Sequence, residues 1–175
     1  MQYKKIYGDG EKIEIMSVAF TREESAETAA EFQLPDRPIS PHPNFVTATG
    51  HKALEAALAE ARQAYKRAQQ IEDINERRRG SAPAYRDMKY FAERLATAQL
   101  VSSPPQEGVV SFGSRVTFRR NEDASQSFRI VGEDEADPRL GSISYVSPLA
   151  RLFMRKTLGD VVQFGDDEIE IIAIE

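Results

Sequence analysis

Apolar positions recur at steps of three and four along the middle of the chain. Leu54, Ala57, Leu58, Ala61, Ala64, Tyr65, Ala68, Ile71 and Ile74 follow this rule, and positions 54, 57, 61, 64, 68 and 71 trace an a/d seam. Thr47 or Thr49 can cap the start, and neither Pro nor Gly interrupts residues 51–79. The pattern predicts a first helix over residues 50–79, about 45 Å long. Gly80 and Pro83 then read as breakers. A second helix is predicted over residues 85–101, with Met88, Phe91, Leu95 and Ala98 as its seam. Two narrow-seamed helices joined by a short breaker predict an antiparallel coiled-coil hairpin over residues 47–101.

Residues 102–108 read as a linker, and beyond them the pattern becomes that of strands. Val109, Val110, Phe112, Val116 and Phe118 indicate one strand or a kinked pair with Gly113 at the bend. Residues 121–125 form a turn, 126–132 a second strand, 133–141 an acidic loop and 142–146 a third strand. Ser147 and Pro148 suit the N-cap and first position of a helix running to about Lys156, with Leu149, Leu152 and Phe153 on one face. Residues 161–164 and 168–174 are the last strand segments. Residues 109–175 thus form a sheet with one helix, and the fold class is α+β.

Residues 1–46 look poor in core. Thr21 and Glu24 fit a capping box for a short helix over 22–32, and Met16 is a candidate alternative start. Pro35, Pro38, Pro41 and Pro43 exclude helix and central strand, so this stretch is a polyproline-like linker or a strap on another surface.

Composition narrows the chemistry. The net charge of −5 argues against a general nucleic-acid coat. The absence of Cys excludes disulfides, thiolate catalysis and Cys-based zinc sites. His42 and His51 are the only histidines and form no ligand motif. No apolar run approaches a membrane span, so a cytoplasmic monomer is expected. The run Glu133-Asp134-Glu135 with Asp137 reads as a solvated loop.

The wording of residues 112–162 is more specific. Phe112-Gly113-Ser114, Arg129 to Asp137, Ser142 to Arg151, and Lys156 with Gly159-Asp160-Val161-Val162 resemble, in order, the C-terminal domain of the bacterial GreA/GreB transcript-cleavage factors. Thr47, Gly50, Leu54 and Leu58 resemble the start of that family's hairpin, and residues 94–101 the close of its second helix. The resemblance covers about residues 44–175.

It implies an FKBP-like C-terminal domain that docks on RNA polymerase near the secondary channel. The hairpin would pass down the channel, bringing contact with nucleic acid inside the elongation complex. Tip carboxylates in the family help hold a catalytic Mg²⁺ and orient a water. The family tip reads roughly Gly-Asp-Leu-x-Glu-Asn-Ala-Glu-Tyr. With the turn at Gly80, the tip here would be Arg77, Arg78, Arg79, Gly80 and Ser81, lacking both acids. About 14 residues also look missing from the second helix, roughly 21 Å of pairing length, so that the arms could not pair evenly.

The resemblance implies that Ser147, Pro148, Leu149, Ala150 and Arg151 form the polymerase-docking turn, with Val146 replacing a frequent Asn or Asp. No catalytic residue, metal ligand or cofactor is expected in the chain itself, and little cleavage stimulation. The alternative is a non-cleaving Rnk-type regulator with the same C-terminal domain. If the hairpin turned earlier, Glu72, Asp73 and Glu76 would be stand-in tip acids. A prolyl isomerase on the same fold is disfavoured, because fold alone does not carry activity.

Overall fold

The computed structural model describes residues 34–101, 108–121 and 124–175. The helix expected over 22–32, the start at Met16 and most of the 102–108 linker lie outside them.

Helix α1 spans Ala48–Ala68 and is capped by Thr47, whose Oγ1 accepts the Gly50 N–H at 3.0 Å. It buries Leu54, Leu58, Ala61 and Ala68 along one stripe, as the apolar period requires. It then stops, eleven residues before the expected end at 79. Helix α2, Ile74–Ala96, begins at once. The expected hairpin exists, but its turn is at residues 69–73.

Asp73 explains the early restart. It is the N-cap of α2, and its Oδ1 accepts the backbone N–H groups of Asn75 at 2.9 Å and Glu76 at 2.8 Å. Glu76 adds negative charge in the first turn, where the helix dipole favours it. Gly80 and Pro83 both lie inside α2, which corrects their reading as breakers. A side chain at Gly80 would put its Cβ 3.3 Å from Ile71 Cδ1 and 3.8 Å from Ala68 Cβ. Its absence lets α2 close against the turn. Pro83 sits on the exposed side of α2. Just beyond it the Tyr85 and Tyr65 rings pack across the hairpin, with centroids 5.9 Å apart.

With arms of 21 and 23 residues, the helices pair evenly, which corrects the expectation that they could not. The expected shortfall of about 14 residues would then fall on both arms, at about 7 residues or 10 Å each. At the open end β1 (Phe45–Val46) pairs in parallel with β2 (Gln99–Leu100) and ties the two arms together.

The C-terminal unit is a five-stranded sheet in the order β5-β4-β3-β7-β6. The strands are β3 (Arg115–Arg120), β4 (Gln126–Val131), β5 (Ser142–Ser144), β6 (Val161–Phe164) and β7 (Asp167–Ile174). Only β4–β5 pair in parallel within it. Before β3 the expected extra strand reduces to a single bridge, Val109 to Thr157. Helix α3 (Pro148–Phe153) buries Ala150 and Phe153 in the core with Val116, Phe118, Ile130, Ile169 and Ile171. The chain is thus α+β, a helical hairpin followed by a β-rich unit carrying one short helix.

Candidate functional site

Three places carry the candidate chemistry: the hairpin tip, the turn that starts α3, and the joint between hairpin and sheet.

At the tip, the expected set is displaced. Arg77, Arg78, Arg79, Gly80 and Ser81 lie in the first two turns of α2, not in the turn itself. Arg77 Nη1 reaches back to donate to the Ile71 carbonyl at 3.3 Å, and Ser81 Oγ donates to the Arg78 carbonyl at 3.3 Å. The exposed end consists instead of Gln69, Gln70, Glu72 and Asp73, with exposed Glu76 one turn behind. The alternative with stand-in acids therefore has the correct turn. Among the described residues no group of three or more His, Asp or Glu is arranged to hold a metal.

At the start of α3, Ser147 Oγ accepts the Ala150 N–H at 3.2 Å, and Pro148 occupies the first turn. Pro148 and Arg151 are exposed. Ala150 is fully buried and Leu149 packs against the core. These two residues of the expected docking set therefore face inward, because a one-and-a-half-turn helix lying on a sheet must turn one side to it. The surface offered is Pro148, Arg151 and the rim of Ser147. Arg151 Nη2 lies 3.3 Å from His42 Nε2.

The joint was not foreseen. The acidic run is not a solvated loop, since each of its three consecutive acids meets the hairpin. Asp134 Oδ2 accepts from Arg94 Nε at 2.5 Å, and its Oδ1 accepts from the Tyr90 hydroxyl at 2.6 Å. Burial and then this bond to Asp134 raise the Tyr90 pKa. Glu133 lies 3.8 Å from Arg94 Nη2. The Thr47 hydroxyl lies 2.7 Å from both Glu135 carboxylate oxygens. Glu135 thus sits at the N-terminus of α1, where a negative charge is favoured.

Gly50 leaves the room for that carboxylate, because a Cβ there would collide with Glu135 Oε2. The Thr47–Gly50 spacing is in this way part of the joint. The rings of Phe45, Phe112 and Tyr145 fill the remaining space with centroids 5.4–6.0 Å apart. Arg94 is 2% exposed. An acidic run without an acceptor role on its own domain was the signal that could have exposed this partner.

Residues 105–175 match the family model described as "Transcription elongation factor, GreA/GreB, C-term". The chain is 32% identical over 134 residues to transcription elongation factor GreB of Pseudomonas putida, covering 68% of this chain and 83% of that protein. It is 43% identical over 89 residues to GreA of Legionella pneumophila, covering 47% of this chain and 56% of the relative, little over half its length. A solved structure of the GreA homologue Gfh1 from Thermus thermophilus aligns over 77% of this chain at 19% identity, with a TM-score of 0.36.

Proposed function

We infer the function from one premise: the chain belongs to the GreA/GreB family of transcription elongation factors. It acts as an elongation regulator that docks on bacterial RNA polymerase through Pro148 and Arg151 and directs its hairpin into the secondary channel. There it stimulates transcript cleavage weakly and competes with longer relatives for the channel. It works on the polymerase's chemistry and performs none of its own.

The observation that carries this reading is the evenly paired, shortened hairpin. With the turn at residues 69–73, Asp73-Ile74-Asn75-Glu76 matches the Asp-Leu-x-Glu of the family tip in residue type and spacing. Acids of the right type and spacing are therefore present at this turn, where a turn at Gly80 would have lacked them. Their carboxylates are hard oxygen donors of the kind Mg²⁺ takes, and such an ion, when bound, polarises an attacking water. Part of Asp73 is committed to its cap. The arms, however, end about 10 Å short of a family-length tip. A carboxylate displaced that far cannot join a metal site whose ligand distances are about 2 Å. The same shortness favours the non-cleaving alternative over a full cleavage factor.

The test is competition. A cleavage-competent Gre factor shortens transcripts in backtracked complexes, and titrating in this protein is expected to suppress that shortening. Pro148→Glu and Arg151→Glu should each abolish the suppression while the circular dichroism spectrum stays unchanged. Undiminished shortening at saturating protein, or suppression by both variants equal to wild type, contradicts the docking.

A further inference from the structure

We propose that the proline-rich segment 34–44 is a built-in brace that fixes the direction of the hairpin relative to the sheet domain. All of the segment but Asn44 lies outside the part of the chain that resembles the GreA/GreB pattern, and the brace does not depend on polymerase binding.

The segment has no helix or strand of its own before β1, yet it is held at both ends. At its upper end Asp36 accepts from Lys89 Nζ at 2.6 Å, and Arg37 Nη1 donates to Asp87 Oδ1 at 3.3 Å. The Arg37 guanidinium lies 3.7 Å from the Tyr90 ring centroid, a cation–π contact. At its lower end the Pro43 carbonyl accepts from the Tyr145 hydroxyl at 2.5 Å, and His42 meets Arg151. Asn44, 4% exposed, donates to the Arg94 carbonyl and to Thr97 Oγ1. One short segment thus grips α2 between Asp87 and Thr97 and grips the sheet domain at Tyr145 and Arg151.

Between its ends the segment stands off the body. Clefts of about 380 Å³ and 320 Å³ lie along it, the first lined by Pro38 to Pro41 with Tyr90, Arg94, Glu133 and Asp134. Tyr90 and Arg94 therefore lie between the segment on one side and the acidic loop on the other. Swinging the hairpin about its base requires breaking contacts on both sides.

The segment can follow such a swing only by bending or extending. The six Cα steps from Arg37 to Pro43 can span at most about 20–22 Å. Pro38, Pro41 and Pro43 fix φ along the way and keep the chain extended and stiff. The anchors at Asp87 and Lys89 also lie about 12–15 Å up the helix from Thr97. They resist rotation with a longer lever than the Thr47–Glu135 contact at the base.

The natural chain has no Cys, so Gln70→Cys at the tip and Gln163→Cys on β6 form a clean pair for spin labels. The tip-to-sheet distance distribution is read by pulsed electron paramagnetic resonance. In the otherwise native chain it is expected to be single and narrow. In the triple variant Asp36→Ala, Arg37→Ala, His42→Ala, which changes surface side chains only, its width should at least double. Should that variant lose its native circular dichroism, Pro38→Gly with Pro41→Gly, which adds slack and keeps every anchor, decides by the same criterion. An unchanged narrow distribution in the folded variant, or a broad one in the native chain, overturns the brace.

Discussion

Arg94 concentrates the logic of the molecule in one side chain. It is a cation in the last turn of a helix whose neighbours announce a coiled coil, and it is buried only because a second unit covers it. Helical period reports which residues face the partner helix. It carries no information about which polar residue another domain will cover, so Arg94 was not legible in its own sequence context. Replacing Arg94 with Met should strand Asp134 and Glu133 against an apolar side chain. Breaking a buried pair costs about 3–5 kcal/mol, and the residual exposure of the two acids places this one at or below the lower figure. Urea denaturation measures it.

Gly132→Ala is a steric counterpart. Its Cβ would lie 2.5 Å from the Phe45 carbonyl oxygen. Since backbone cannot step aside as a side chain can, a loss of about 1–3 kcal/mol is expected, read as a fall in Tm. Asp160 supplies a pH-dependent case. Its pKa is lowered, first by the Thr157 backbone N–H and then by the Thr157 hydroxyl. The lowered value means that its contribution is complete above its unfolded pKa and is lost as pH falls through the folded one. Asp160→Ala should therefore melt below wild type at neutral pH, and the two should converge below the ordinary carboxyl value of 3.8.

At the scale of elements, the seam of α1 was legible and the turn was not; of the second expected seam, Met88, Phe91 and Leu95 are half-buried and Ala98 lies past the end of α2. Ile71 and Ile74 continue the step of three past the end of α1, so periodicity runs through the turn unbroken. The competing signal, Asp73 followed by Glu76 three residues later, is an N-cap pattern that a long apolar run masks. Gly80 misled for a related reason: Gly can break a helix, but here it serves close packing on Ile71 and Ala68. The sheet domain was easier, because β3 alternates buried Val116 and Phe118 with less buried neighbours and Ser147-Pro148 is an unambiguous helix start. Within the docking set inferred by resemblance, Ala150 is buried and Leu149 half-buried against the core, a division that the resemblance does not register.

Two substitutions test the hairpin as drawn. Leu58→Ala removes a residue 6% exposed in the seam and should cost about 2–3 kcal/mol, the lower part of the range for buried Leu. Asp73→Ala should cost about 1 kcal/mol through loss of the cap. A stability change near zero for Asp73→Ala would contradict a helix beginning at Ile74.

The whole molecule is a hairpin mounted on a sheet domain through one buried cation, three consecutive acids and an aromatic cluster. This mounting matters only if the direction and reach of the hairpin matter, as they do for a probe entering a channel. On the proposed function, the reach of the hairpin is what separates this chain from a full cleavage factor. The direct measurement is transcript length, resolved on gels over time, in backtracked RNA polymerase complexes with saturating amounts of this protein. The account predicts slow shortening, close to that of polymerase alone, with Asp73→Ala and Glu76→Ala little different from wild type. Rapid shortening by the wild-type protein, abolished in Asp73→Ala or Glu76→Ala, would show that the tip acids reach the reacting site and would contradict it.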